Sequence, residues 1–290
     1  MRDDEQGSPQ TWVACADLTH QRQLTSVANH SSGWSVWSPD ATRIAFDSDR
    51  EDPDTADTSV INDVFTMAAD GSDVRKVTDS VGESGDPAWS PDGTVLVFEA
   101  DRGNPSKQGI YVAKASDGSG LRRITTLPAG FDQDRAPRIS PDGKQVLFTR
   151  KESDSLSALY VVNLDGSDLR RITSSELQPG DGTWSPDGTK IAFEAELAYG
   201  GRAGPWIVGS DGQGAESLTG PQDTAGEWLG FSDPVWSPDG TLIMMLTGRH
   251  RPDGTSSGGL ATINADGTGL AFVTDGEGAE HQPDWIAASC

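Results

Sequence analysis

Basic residues are scarce in this chain: 22 lysines and arginines stand against 45 acidic residues, a formal net charge of −23. A phosphate backbone or an anionic lipid surface has to be neutralised by Lys and Arg, so this balance excludes nucleic acid and membrane surfaces as partners. Long apolar runs are missing as well. The longest are short segments such as Leu242–Leu246, far below the ~18 residues of a membrane span, so no membrane insertion is expected. The first residues, Met1 to Gln6, are charged and polar and contain no apolar leader. That start predicts a cytoplasmic protein if the N-terminus is native, and a periplasmic or secreted one if a leader has been removed. Cysteine is almost absent. Cys15 and Cys290 are the only two, which excludes a disulfide framework.

Glycine and proline, by contrast, are plentiful, at 34 and 17 of 290 residues. The chain is turn-rich, yet its apolar content supports a sizeable core. Its length alone would suggest two domains of ~150 residues, but internal repetition points elsewhere. Trp37-Ser38-Pro39-Asp40 leads into Ile44-Ala45-Phe46, and Trp89-Ser90-Pro91-Asp92-Gly93 into Leu96-Val97-Phe98. The pattern returns at Ile139-Ser140-Pro141-Asp142-Gly143, at Trp184-Ser185-Pro186-Asp187-Gly188 and at Trp236-Ser237-Pro238-Asp239-Gly240. Pro283-Asp284-Trp285 resembles a sixth copy cut short. A period of about 50 residues built from short strands is the mark of propeller blades.

A second signature lies between these copies. Asp70-Gly71, Asp117-Gly118, Asp165-Gly166, Asp211-Gly212 and Asp266-Gly267 each precede an apolar-Thr pair such as Val77-Thr78 or Ile172-Thr173. Each repeat therefore reads as four antiparallel strands. The first ends in Trp, Ser-Pro-Asp-Gly makes a tight turn, a β-branched and aromatic run follows, and an Asp-Gly turn joins the last two strands. Residues 11–17 and 21–25 supply the strands that the truncated sixth copy lacks. The expectation is a six-bladed β-propeller over residues 11–290, preceded by an extended segment 1–10. Its ring would be closed by N-terminal strands pairing with the C-terminal strand around Trp285, which removes exposed edges. The usual strand order of a blade does not set Cys15 beside Cys290, so free thiols are expected.

Trp184-Ser185-Pro186-Asp187-Gly188-Thr189-Lys190-Ile191-Ala192-Phe193, with Asp165 to Thr173, resembles the TolB-type propeller repeat, which also occurs in propeller domains of prolyl oligopeptidase relatives. The resemblance spans about residues 11–287 and implies a propeller that binds protein partners. Two departures stand out. There is no N-terminal domain like that of TolB, and no room for the peptidases' α/β-hydrolase domain.

In such a fold the short, uniform turns share one face. The long, varied loops share the other, around the mouth of the central channel, and function is expected there. His30 and His281 precede first strands on either side of the ring closure and form a candidate pair for a transition metal or a general base. His250 lies in a basic Arg-His-Arg spot. Trp34, Trp228 and Phe231 are candidate stacking residues. Asp47 and Asp49 belong to an acidic loop with calcium-like alternation, although it lacks the sixth-position Gly and twelfth-position Glu of a calcium loop. Asp86, Asp134, Asp181 and Asp233 start first strands and suggest a ring for a cation or a basic peptide. Gly254 to Gly258 matches a nucleophile motif, but in the wrong context, a loop between strands.

Two functions follow. The favoured one is a monomeric binding module whose long-loop face takes a protein or basic peptide. The alternative is an enzyme of polysaccharide-lyase or isomerising type, acting on a small carbohydrate-like ligand. In it Tyr199 or a His is the base, and Arg135, Arg202 or Arg249 neutralises a substrate carboxylate. A divalent cation, calcium or a transition metal, fits either.

Overall fold

The computed structural model describes every residue except 1, 4–7, 16–17, 28–29, 53–60, 80, 197–203, 220–227, 251–255, 275–281 and 288–290. Five four-stranded antiparallel blades are present, each with its strands in chain order. The first consists of Ser32–Trp37, Arg43–Ser48, Asp63–Ala68 and Arg75–Lys76, and the second of Ser84–Trp89, Val95–Ala100, Gly109–Lys114 and Arg122–Arg123. The third is built from Gln133–Ile139, Gln145–Ser153, Leu156–Asn163 and Arg170–Arg171, and the fourth from Pro179–Trp184, Lys190–Ala195, Gly204–Gly209 and Glu216–Ser217. Trp228–Trp236, Leu242–His250, Ser256–Asn264 and Ala271–Phe272 make the fifth. The chain divides into two compact units: Met1–Leu127 with Asp134–Ile139 and Ile286–Cys290, and Pro128–Gln133 with Ser140–Trp285.

The repeated turn is held by its own side chains. In the fifth blade Ser237 Oγ donates to Asp239 Oδ1 at 2.6 Å, and the same oxygen accepts the N–H and hydroxyl of Thr241 at 3.0 and 2.8 Å. Ser237 Oγ in turn accepts the N–H of Leu242 at 2.9 Å, so one serine and one aspartate close the hairpin. Gly240 sits at φ +71 there, whereas in the first blade Ala41 is forced to φ +58. At the far end of the blade the Thr of the apolar-Thr pair caps the third strand. Thr78, Thr125, Thr173 and Thr274 accept the N–H groups of Val64, Ile110, Leu159 and Leu260 in that strand at 2.8–3.0 Å.

The cores follow from the second strands, whose middle residues alternate into dry space. Phe46, Phe98, Phe148 and Phe193 are all buried. In the first unit Leu96, Phe98 and Tyr111 pack with Val64 and Val77. In the second unit Leu147 and Leu159 pack with Trp184, Ile191 and Phe193, and Phe231, Trp236 and Ile243 with Met245. Full burial of such side chains contributes about 1.5–3 kcal/mol each.

The expected six-bladed ring is corrected to five blades. Trp12–Val13 pairs with Arg22–Gln23 as a separate two-stranded ladder, and residues 283–287 belong to no strand. Trp12 and Trp285 therefore share no sheet, and among the described residues no strand pairing joins the two ends. The reason is strand pairing: residues 283–287 offer no strand to pair with, and Trp12–Val13 and Arg22–Gln23 bond to each other instead. The ladder does reproduce the register of an outer strand pair, and Thr11 N–H donates to Thr25 Oγ1 at 2.9 Å as in the blades. Its Val13 and Leu24 pack against Phe46, Phe65 and Met67 of the first blade. The expectation of free thiols is also overturned. Cys15 is disulfide-bonded, and the sequence offers one other cysteine, Cys290. The strand-order argument against a bond fails because Cys15 lies outside the five blades, beside the separate ladder Trp12–Val13.

Candidate functional site

The first strands of the first, second, fourth and fifth blades break register shortly before their closing Trp. A left-handed residue recurs three positions before that Trp in the first, second and fifth blades, and before Ile139 in the third. Trp34, Asp86, Ala136 and Asp233 lie there in the left-handed region, at φ +41, +54, +51 and +49. Gln282 stands the same distance before Trp285 and has φ +45. Such a bulge turns a backbone N–H out of the ladder, where it needs an acceptor.

The acceptor comes from the second strand, from the residue after the buried Phe. Asp47 Oδ2 accepts the N–H of Asp86 at 3.2 Å. In the second unit Glu194 serves two bulges at once. Its Oε1 accepts the Asp181 N–H at 3.2 Å and its Oε2 the Asp233 N–H at 3.1 Å, so one carboxyl ties the fourth blade to the fifth. In the third blade Thr149 replaces the acid and donates instead to the Gly180 carbonyl at 2.6 Å. Gly180 leaves room for that carboxylate: a Cβ there would lie 1.8 Å from Glu194 Oε1 and would push the carboxyl group aside.

Placement sets the electrostatics. Burial, then the negative charges of Asp181 and Asp233, push the Glu194 carboxyl up to about 8, against the pull of the two N–H groups. Burial, then Asp86 and Glu83, push Asp47 up to about 7. Both are acids that change charge near neutrality.

The candidates from the sequence separate into distinct environments. Asp86 is buried and its Oδ1 pairs with Arg138 Nη1 at 3.1 Å. Asp134 is fully buried, its backbone bonded on both sides to the Gln108 amide at 2.6 and 2.8 Å. Asp181 and Asp233 remain partly accessible and flank Glu194. His30 Nδ1 lies 3.5 Å from Asp49 Oδ1, and that oxygen also accepts the Ser31 N–H at 2.6 Å. Asp47 and Asp49 are thus both buried but serve different partners, and do not converge. Phe231 belongs to the core, Trp34 is half-buried and Arg135 is exposed. Trp228 pairs with His250 in the backbone ladder. Tyr199 and His281 lie outside the described residues. Among the described residues, no three or more His, Cys, Asp or Glu side chains are grouped to hold a metal ion.

Glu194 and Arg138 escaped the sequence reading. A signal existed, since the residue after the second-strand Phe is acidic at Asp47, Glu99 and Glu194. It was hidden because bulge acceptors and ordinary solvent-facing acids look alike in a strand pattern.

The TolB beta propeller domain family matches residues 129–288. The chain belongs to that family. Among relatives of this TolB-type propeller, the Tol-Pal system protein TolB of Francisella tularensis is 26% identical over 192 residues, 66% of this chain and 40% of that protein. The solved structure of a putative TolB from Agrobacterium tumefaciens superposes with TM-score 0.69 at 21% identity, covering 91% of this chain and 89% of that one. An oligogalacturonate lyase in complex with manganese superposes with TM-score 0.62 at 14% identity, over 92% and 73% of the two chains. The chain spans only 22% to 55% of the lengths of the curated relatives it matches.

Proposed function

We propose that this TolB-type propeller is a binding module that takes a basic peptide segment of a protein partner at the Asp181–Glu194–Asp233 cluster. One observation carries this reading: burial and two accessible carboxylates raise the pKa of a third carboxyl that is fixed between them. The site concentrates negative potential and holds a proton for lack of a better counter-charge. A lysine or arginine side chain would supply that charge and release the proton. Binding would then strengthen as pH rises through about 8 and weaken with salt. The net charge of −23 adds long-range attraction for such a partner. The relative named for the Tol-Pal system supports a protein partner in this role.

Calorimetry with a short arginine-containing peptide, in two buffers of different ionisation enthalpy, tests the reading. The expected result is proton release on binding, abolished in Glu194→Gln. Binding without proton exchange, or equal binding to an Asp181→Asn/Asp233→Asn variant, rejects it.

An enzymatic reading has one specific support, the imidazole of His30 beside Asp49, which is the arrangement of an oriented base. Incubation with oligogalacturonate, followed by the ultraviolet absorbance of an unsaturated product, decides it. Product formation that vanishes in His30→Ala would replace the binding proposal.

A further inference from the structure

The hairpin that joins the two strands of the N-terminal ladder sets a disulfide sulfur against an imidazole. Trp12 pairs with Gln23 and Val13 with Arg22, and the same register carried two places further brings Cys15 opposite His20. Cys15 Sγ lies 3.5 Å from His20 Nδ1, and Thr19 Oγ1 lies 2.9 Å from the same nitrogen. Cys15 is disulfide-bonded, and Cys290 is the only other cysteine of the sequence. Cys15 is half-buried while Ala14, Thr19 and His20 are exposed, so the pair stands at the surface, within reach of a reagent from solution.

The frame of this turn is that of the repeat. Cys15 N–H donates to the Thr19 carbonyl at 2.9 Å and Leu18 N–H to the Cys15 carbonyl at 2.8 Å; in the third blade Asn163 N–H donates to Ser167 and Gly166 N–H to Asn163 at the same two distances. Its contents are not those of the repeat. The two left-handed places of the turn hold Gly71 and Asp73, Gly166 and Asp168, or Gly212 and Gly214 in the blades, whereas Leu18 at φ +61 and His20 at φ +53 hold them here. A left-handed backbone is costly for residues of that size. Where the third blade opposes Asn163 to Asp168 and the fourth Gly209 to Gly214, this hairpin opposes a sulfur to an imidazole.

An N–H beside a disulfide sulfur matters when that sulfur departs. Exchange begins when a thiolate attacks one sulfur of the bond, and it runs faster the better the expelled sulfur bears negative charge. With its proton on Nδ1, His20 donates a hydrogen bond to a thiolate on Cys15 and stabilises it. Cys15 is then the leaving sulfur, and the attack falls on Cys290.

We propose that Cys15 and His20 form a thiol–disulfide exchange site whose substrate is a dithiol reductant. One thiolate of the dithiol attacks the Cys290 sulfur and forms a mixed disulfide, while the bond to Cys15 breaks and its electron pair leaves on Cys15, facing His20 Nδ1. The second thiolate of the dithiol attacks its own bonded sulfur, expels Cys290 and closes the reductant's disulfide. The dithiol is oxidised by two electrons, both cysteines of this chain are reduced, and the two protons the dithiol gives up return to them. The site shares no residue with the Glu194 cluster.

The test uses the full oxidised chain at neutral pH. Thiols released by dithiothreitol are trapped with N-ethylmaleimide and counted by intact mass against time. His20→Asn removes the imidazole but tolerates the left-handed backbone, and it is expected to slow the release at least fivefold. A merely structural role would loosen the turn and speed it. In a second arm glutathione, a monothiol, stops the reaction at the mixed disulfide. After tryptic digestion the glutathione is expected on the peptide that contains Cys290, with N-ethylmaleimide on Cys15. Release unchanged or faster in His20→Asn, glutathione on Cys15 or equally on both cysteines, or a parent that dithiothreitol does not reduce under native conditions overturns the proposal.

Discussion

Gly118, in the Asp-Gly turn of the second blade, lies so close to Val77 of the first that a Cβ on it would stand 1.9 Å from the Val77 carbonyl oxygen. Gly71 meets the Leu24 carbonyl in the same way at 3.0 Å, and Gly267 the Leu218 carbonyl at 2.5 Å. The apolar-Thr strand end of one segment is thus the seat for the next segment's turn, and the N-terminal ladder provides the first such seat.

Gly118→Ala is therefore expected to be costly for two reasons, the left-handed φ of +69 and a clash with rigid backbone. Together these amount to about 2–4 kcal/mol. Gly93→Ala shares the φ, at +68, but its Cβ would meet open space, so about 1 kcal/mol is expected. Urea denaturation of the two variants reads the difference directly. Equal losses would show that the close approach has no energetic weight.

Glu194 makes the fold more stable in mild acid. Its folded pKa, about 8, lies above the ordinary carboxylate value of 4.5. The folded state therefore holds a proton that the unfolded chain releases, and stability falls as pH rises between those two values. Asp47, raised to about 7, acts in the same direction. Glu194→Gln should flatten the decline between pH 5 and 8 and raise the midpoint at the upper end. A thermal-midpoint profile identical in slope to the parent would contradict this assignment.

Thr173→Val keeps the shape of a buried side chain but leaves the Leu159 N–H, now bonded at 2.9 Å, without its acceptor. The expected loss is about 1–3 kcal/mol. Hydrogen exchange at the Leu159 amide should accelerate along with the stability loss; protection that persists would mean another group takes over the cap.

The Cys15 disulfide should make stability depend on reductant. Cys15→Ser should cost about 2–5 kcal/mol relative to the oxidised protein. In that variant a thiol reductant should change the denaturation midpoint no further, while the parent should fall to the variant's value. A parent insensitive to reductant would refute the bond's contribution.

Much of this was readable in the sequence at the level of the repeat. The Ser-Pro-Asp-Gly turns and the Phe-centred second strands are local devices, specified by residues two to five apart, and they stand where the pattern put them; the Thr bonds to the third strand span 14 or 15 residues but stay within one repeat. The ring count was not readable. Trp285 carries the motif residue, yet it stands in no strand, and a motif residue without strand partners does not make a blade. The site was half legible. Asp181 and Asp233 were marked by their position at the first strands, whereas Glu194 gained its role only from the two backbone N–H groups that converge on it.

The order of residues, then, determined the blade: its strand lengths, its turns, its core phenylalanines and its negative charge all follow from side-chain size and short-range hydrogen bonding. What the tertiary structure alone decided was which atoms meet between blades. Val77 against Gly118 and Glu194 between Asp181 and Asp233 join residues far apart in the chain. Their proximity comes from packing one sheet on the next, and no periodicity within a single repeat encodes it.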